Sequence, residues 1–479
     1  MSVNGIRLRN FRGFPDLEIE LKPLTVLLGP NSSGKSSVST PLAALAHCQR
    51  IYSGQRHASL TPETSEKARL WPIDLGGYQD VVNSGSTDRV YVDLRTSEGW
   101  VEFGFGLVPV APDELWFSHL AYPADVDRIT GGEGTSSSGI VSVPAEAKPA
   151  LRSETKSDAV VDVGFGTGSY LDKFQSRGVV IERINEQQWQ QGGKNAHFGF
   201  SGLMPLSLQD SNRNEIKFNR KSLNEIESLL AELVYIRGVR ERPIRGYPRF
   251  RSEQKSVGYA GEKTASVLLN RREQMQIFVR PPKVDGNLVR WQEHRSSLED
   301  ALSNWLRHLG LADAVFSSES VRYGTEYVDL RLRMREGGAT RGITEIGFAV
   351  SQVLPVLVGG LLQPKDRLLI VDLPEAHLHP RPQGDIADLF CSMAMAGRSA
   401  LVETHSEMFF HRLRLRAAME PNLLDRICVY FFDAPDQDGK CRPPRKVGLS
   451  FEEELEWPSG FLREALDTEI QISAVRNSK

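Results

Sequence analysis

At 479 residues the chain is long enough for two or three domains, or for one large α/β domain carrying an insert. Forty per cent hydrophobic and 25% charged residues are ordinary for a globular protein, and a core is easily built at this length. The net charge of −3 excludes a global basic field, so any nucleic acid must meet a local patch. Four cysteines (Cys48, Cys391, Cys428, Cys441) without C-x-x-C spacing exclude a disulfide framework or zinc ribbon and fit a reducing, cytoplasmic setting. The N-terminus lacks the apolar stretch of a signal peptide. The longest apolar run, Gly347 to Leu362, is interrupted by Ser351, Gln352 and Pro355 and is too short for a span, so it reads as a buried helix and no membrane contact is expected.

In chain order, residues 3–28 read as strands. Ile6 and Leu8, then Leu17, Ile19 and Leu21 after an Arg12-Gly13 turn, alternate with polar residues. Leu24–Leu28 is continuously apolar, as a central buried strand is. A Gly-rich loop follows, then a helix carrying Val38, Leu42, Leu45 and Ala46. Residues 50–70 read as loop, 80–122 as short strands, and Gly131–Ser138 (GGEGTSSS) as a surface excursion. Leu223, Ile226, Leu229, Leu230 and Leu233 predict a helix over 222–236, and Leu298, Leu302, Trp305, Leu306 and Leu309 another over 296–309. Tyr327–Met334 alternates as a strand, and a helix is predicted over 348–362. Further strands are expected at Arg367–Asp372, Ser399–Thr404 and Ile427–Phe432.

Residues Gly29-Pro30-Asn31-Ser32-Ser33-Gly34-Lys35-Ser36, followed by Ser37, match G-x-x-x-x-G-K-[ST] in full, between an apolar strand and an amphipathic helix. Glycines let the backbone curl so that successive N–H groups converge on phosphate oxygens. The helix that starts there adds roughly half a positive charge. In such a loop Lys35 reaches the β- and γ-phosphates of ATP and the Ser36 hydroxyl reaches Mg²⁺. A second motif, RLLIVDLPEAHLHP at 367–380, ends a buried strand in Asp372, a carboxylate able to hold Mg²⁺ through water. The strand Leu401–Thr404 then presents His405 at the sheet edge, where an imidazole can meet a γ-phosphate or its attacking water. A lone histidine is more often structural, and it is the company of the two preceding motifs that raises this one.

Together these stretches resemble the ATP-binding-cassette group that includes SMC-like and RecF-like ATPases, and within it the OLD-type ATPases and their short bacterial relatives. The resemblance is carried by residues 6–37, by IGFAVSQVLPVLV at 346–358 in the place of the signature helix, by VDLPEAHLHPRPQ as Walker B and D-loop, by ETHSE, and by the Glu456–Phe461 ending. It implies an α/β P-loop NTPase fold of the ABC-head kind, with a mixed α/β insert between Walker A and Walker B. It makes Asp372 the Walker B acid and His405 the switch histidine. It sets Ser351 and Gln352, with Gly347, where the signature of one subunit completes a partner's site, hence a homodimer with ATP sandwiched between heads. Gln79, in GGYQDVV, is a candidate for the glutamine that links nucleotide to insert. One departure matters: the glutamate that usually follows the Walker B acid is Leu373, which cannot orient water. Glu375 is the nearest replacement, so hydrolysis is expected to be slow or to use Glu375.

Two further stretches are ambiguous. Val160–Gly168 (VVDVGFGTG) resembles a methyltransferase nucleotide loop but lacks room for such a domain, and a Gly-rich hairpin is the better reading. Arg237, Arg240, Arg242, Arg245, Arg249 and Arg251 lie in one stretch with Tyr247 and Phe250. It reads as a solvated surface packed by its stems, as a DNA or RNA contact, or as an intersubunit or nucleotide contact.

The segmentation expected is an ATPase lobe over 1–125, an insert over 126–340, a second ATPase lobe over 341–435 and a tail over 436–479. The space after His405 is too small for the Toprim nuclease domain of larger OLD relatives, so effector chemistry, nuclease or toxin, is expected from another polypeptide. The resemblance thus implies an ATP-gated switch in anti-phage defence. A DNA-repair or chromosome-associated clamp is the alternative, and a transporter subunit is disfavoured because no clear LSGGQ is present.

Overall fold

Three strands open the chain. β1 (Gly5–Phe11) and β2 (Phe14–Glu20) form an antiparallel hairpin whose turn residue Arg12 takes a left-handed φ of 49°. Ile6 and Leu8 pair with Ile19 and Leu17, and this apolar row is buried. β3 (Leu24–Leu28) is buried at every position, the pattern of a strand covered on both faces. The structure, a computed structural model, describes residues 3–51, 75, 81–83, 90–108, 111–123, 139–142, 158–162, 179–183, 195–201, 204–209, 215–216, 221–251, 254, 256–436 and 441–449. Gln79, Gly131–Ser138, Gly164–Gly168 and Glu456–Phe461 lie outside the described residues.

Compactness follows other lines than the segmentation expected from the sequence. Lys22–Lys35 and the chain from Val234 onward make one unit; Ser2–Leu21 and Ser36–Leu233 make the other. Residues 234–340, expected in the insert, therefore belong to the unit that holds the phosphate loop, because their apolar side chains share its core.

The second of these units contains β1, β2, the helix α1 (Ser36–Ile51), and the strands β4 (Val90–Arg95), β5 (Trp100–Val108) and β6 (Ala111–Pro123). They line up as β2-β1-β4-β5-β6 in a sheet that six further strands, between residues 139 and 216, extend to eleven. The helix α2 (Lys221–Glu232) buries Leu223, Ile226, Leu229 and Leu230, the predicted stripe. It stops at Glu232, short of the predicted end.

The other unit begins again at β7 (Val234–Ile236), a strand where the sequence predicts helix. Its residues pair parallel with Leu369–Val371, and Tyr235 and Ile236 are buried there. An aromatic and a β-branched residue suit that setting better than a helix end. Then come α3 (Thr264–Arg271), α4 (Leu298–His308), β8 (Ala314–Arg322), β9 (Thr325–Arg333), α5 (Phe348–Leu362) and β10 (Leu368–Asp372). α6 (Pro380–Asp385), α7 (Ala387–Met395), β11 (Ser399–Thr404), α8 (Glu407–Met419), β12 (Ile427–Phe431) and β13 (Arg445–Val447) complete it. Ser297 caps α4 by accepting from Asp300 N, which sets the start of that helix.

The central sheet runs β7-β10-β11-β3-β12-β13, parallel except for β13. Its strands β10, β11, β3 and β12 are buried at every position, and α5 and α7 add Val353, Leu357, Leu389 and Phe390 to a single core with them. All parallel strands end at one edge, so Leu28, Asp372 and Thr404 share it. No helix among the described residues is long and apolar enough to cross a membrane.

Candidate nucleotide site

At that edge β3 gives way to the loop Gly29–Lys35. Gly29, Ser32 and Gly34 take left-handed φ values of 150°, 60° and 92°, which turn the chain back on itself. A Cβ on Gly29 would stand 2.3 Å from the Phe432 carbonyl, so no larger residue fits the mouth of the loop. Lys35 is buried, and its Nζ donates to the carbonyls of Gly29 (3.0 Å) and Pro30 (2.6 Å) and lies 3.3 Å from Ser33 Oγ. Burial pushes the Lys35 ammonium below its usual range, opposed by the charges of Glu403 and Glu375. Asn31 and Ser32 are exposed. Ser36 heads α1, its carbonyl accepting from Thr40 Oγ1, and Ser37 is buried in the first turn.

β10 and β11 bring the carboxylates. They run in parallel register with Asp372 opposite Glu403, so both side chains leave the sheet on the same face. The Tyr235 hydroxyl donates to Asp372 Oδ2 at 2.5 Å. Burial pushes the Asp372 carboxyl up to about 7, the charge of Glu403 adds to this, and the Tyr235 bond and Arg240 oppose it. The same burial, with Asp372's charge, holds the Tyr235 phenol above its ordinary range and keeps it a donor.

Leu373 follows in a left-handed turn, φ 49°, its N–H donating to the Glu403 carbonyl at 2.7 Å. Its side chain packs on Gly238, where a Cβ would come within 3.1 Å of Leu373 Cδ1. Glu375 turns back to the sheet. Its Oε1 accepts from Thr404 Oγ1 (2.7 Å) and from His405 N (3.0 Å). His405 Nδ1 lies 2.7 Å from the Gly29 carbonyl. A carbonyl only accepts, so Nδ1 carries the proton, and in the neutral ring Nε2 is left as an acceptor. Ser406 caps α8 by accepting from Phe409 N, which fixes where the strand ends and His405 stands.

One hydrogen-bonded set therefore joins Lys35, Gly29, His405, Thr404 and Glu375, with Asp372 and Tyr235 beside it. Asp372 Oδ1 and Glu375 Oε2 are buried acceptors without a hydrogen-bond partner. Unpaired buried acceptors of negative charge are costly in a closed protein interior. Hard oxygen donors of this kind suit a divalent cation held partly through water, so the residues present fit Mg²⁺.

The structure corrects other expectations. Gln352 is 1% exposed and its Nε2 donates inward to the Glu241 carbonyl at 2.9 Å, so it is not presented to a second subunit. Ser351 is also buried, and its hydroxyl donates to the Phe348 carbonyl. Of the three residues expected at the signature, Gly347 is exposed, at the end of α5 one turn earlier, beside the exposed Phe348. The arginine stretch is no helix, in keeping with its prolines, and no uniform patch either. Arg240 is buried in the site, Arg249 pairs with Glu319 and Arg251 with Glu326, while Arg237, Arg242 and Arg245 are exposed. Three site residues are not singled out by the sequence reading: Tyr235, hidden in a predicted helix; Arg240, one of a stretch left open between surface, nucleic-acid and intersubunit or nucleotide contact; and Glu403. The last was legible, since it directly precedes Thr404-His405 at the end of a buried strand.

A parallel sheet whose central strand opens into a G-x-x-x-x-G-K-S loop, with an acid-tipped strand two places away, defines a P-loop NTPase. Residues 1–70 match the family model described as an AAA ATPase domain. Among solved structures the chain is similar to an SMC head domain from Thermotoga maritima, at 9% identity over 94% of this chain and 100% of that one, TM-score 0.34. It is similar to an Smc head domain with an extended coiled coil, bound to the C-terminal domain of ScpA derived from Pyrococcus furiosus, at 10% identity over 98% and 99%, TM-score 0.37. An SmcHead bound to the C-winged helix domain of ScpA matches at 11% identity over 94% and 99%, TM-score 0.39.

Proposed function

We propose that the chain is an ATP-hydrolysing switch of the OLD-type, SMC-like kind, dimeric when ATP is bound, that controls a separate effector in bacterial anti-phage defence. The observation that carries the hydrolytic part is the bonded set joining Lys35, Gly29, His405, Thr404 and Glu375 at one sheet edge. Phosphate oxygens are stronger acceptors for Lys35 than the carbonyls of Gly29 and Pro30, so the ammonium exchanges one set for the other when ATP enters. Glu375 Oε1 is fixed by two donors, which aims Oε2 and leaves it to accept a proton from the attacking water. His405, with Nδ1 engaged by Gly29, turns Nε2 toward the γ-phosphate or that water. Mg²⁺, when bound, supplies positive charge at the phosphates; Ser36 and Asp372 are the residues that would hold it. Leu373, packed on Gly238, has no part in the chemistry, and slow turnover is expected. The dimer contact, on this reading, falls to the exposed Gly347–Phe348 end of α5.

A DNA-gated clamp is the second reading, favoured by the exposed Arg237, Arg242 and Arg245. Steady-state ATP hydrolysis by wild-type and Lys35→Ala protein, with and without duplex DNA, separates the two. Lys35-dependent turnover indifferent to DNA supports the protein-triggered switch. Turnover that rises with DNA, and loses the rise in Arg242→Ala/Arg245→Ala, supports the clamp. Hydrolysis that survives Lys35→Ala sinks both.

A further inference from the structure

Arg240 is a cation 5% exposed whose two Nη groups donate to main-chain carbonyls, while its buried Nε has no hydrogen-bond partner. Nη2 donates to the carbonyls of Asp372 (2.7 Å) and Leu373 (2.9 Å), on either side of the left-handed residue in the Walker B turn. Nη1 donates to the Gln352 carbonyl, in α5, at 3.2 Å. Gln352 answers: its Nε2 donates to the carbonyl of Glu241, the residue after Arg240. The backbone bearing Arg240 is itself tied down, with Arg237 N donating to the Tyr259 carbonyl and Glu241 N to the Ala260 carbonyl, each at 2.9 Å. Burial pushes the guanidinium down to about 10, against the pull of Glu375 and Asp372.

Burying a cation costs several kcal/mol, and here the return is geometric. Only a planar fork can hold two successive carbonyls and a third on another element at once. The turn it holds is one that a leucine resists, since a left-handed non-glycine residue costs about 1–2 kcal/mol. One turn earlier, at the N-terminal end of α5, the exposed Phe348 ring stands edge-on to His377, 4.8 Å away, so helix and Walker B segment touch twice.

We infer that Arg240 is a positioning residue: with Gln352 it clasps α5 to the Asp372–Leu373 turn, so that a displacement of the helix is delivered to the Walker B acid. The clasp rests on the ATPase reading, and makes α5 the element through which nucleotide state and any contact at Gly347–Phe348 are coupled. Arg240 touches no reacting atom; it acts through Asp372.

The test is hydrogen exchange of the full chain with and without the non-hydrolysable analogue AMP-PNP and Mg²⁺, for wild type, Arg240→Met, Arg240→Lys and Gln352→Leu. In wild type the analogue slows exchange in the loop 29–36 and, together with it, in 348–356 and 370–376. In Arg240→Met and Gln352→Leu the loop stays protected, while the extra protection of 348–356 falls by about five-fold or more. Turnover falls about ten-fold with KM for ATP within about three-fold, and Arg240→Lys recovers only part of it. Gln352→Leu removes no buried charge, so it reports on the clasp even if Arg240→Met folds poorly. Protection of 348–356 as in wild type in Gln352→Leu and Arg240→Lys, with only the melting temperature lowered, overturns the clasp. No protection of 29–36 in wild type overturns the ATPase reading, and the clasp with it.

Discussion

Glu375→Gln tests the chemistry at the site with little disturbance of its architecture. A glutamine keeps an oxygen at the Oε1 position, so the bonds from Thr404 Oγ1 and His405 N persist. Each changes from a bond to a carboxylate into a neutral one, a loss of about 1 kcal/mol apiece. Against this, one of three neighbouring acids, Asp372, Glu375 and Glu403, no longer has to be buried as a charge, which returns an amount of the same order. Net stability should therefore move by no more than about 1–2 kcal/mol, a few degrees in melting temperature. The catalytic consequence is different in kind. The NH₂ that replaces Oε2 cannot accept a proton, and loss of a general base lowers turnover by about 10²–10⁴, or roughly 3–5 kcal/mol of barrier. The assay is single-turnover hydrolysis of radiolabelled ATP, with fluorescent-nucleotide binding alongside. Binding should be retained and the chemical step lost. A variant that binds ATP and turns it over at the wild-type rate would remove Glu375 from the mechanism.

Three other outcomes follow from the geometry. Gly29→Ala forces a Cβ against the Phe432 carbonyl at a left-handed φ, so urea denaturation should show a loss of about 2–5 kcal/mol; a change under about 0.5 would contradict the packing of the loop mouth. Asp388 is fully buried and accepts from Arg416 at 2.7 and 2.9 Å and contacts His308 at 2.9 Å. Arg416→Met should cost about 3–5 kcal/mol by thermal melting, and adding Asp388→Asn should restore part of it; additive losses would refute the pairing. Cys48, Cys391 and Cys428 are buried and Cys441 is not, so iodoacetamide should label Cys441 first in the native protein. Burial, with Asp436 nearby, raises the Cys441 thiol above its ordinary range. The thiolate is the reactive form, so labelling should keep rising with pH beyond the range of a free cysteine; a rate that levels off near pH 8 would count against that environment.

The sequence by itself determined the phosphate loop, the acid-tipped strand and the Thr-His strand. Each is, or directly follows, a short apolar run that gives way to polar residues, a local pattern that needs no knowledge of the partner strands. The helix at 348–362 was legible for the same reason, since a long apolar run can only be buried. Tertiary structure alone decided which side chains those elements deliver and to what. Val234–Ile236 continues a helical stripe in sequence but becomes a strand because β10 offers it a ladder. That puts Tyr235 on Asp372. Arg240 reads as one of six arginines in a stretch whose role the sequence leaves open, and it is interior because three carbonyls from distant segments meet there. Gln352 sits at a signature-like position, and its buried amide turns inward to donate to the Glu241 carbonyl. Periodicity records which face of an element is apolar; whether a polar side chain on it meets water, a ligand or a buried carbonyl depends on residues more than a hundred positions away.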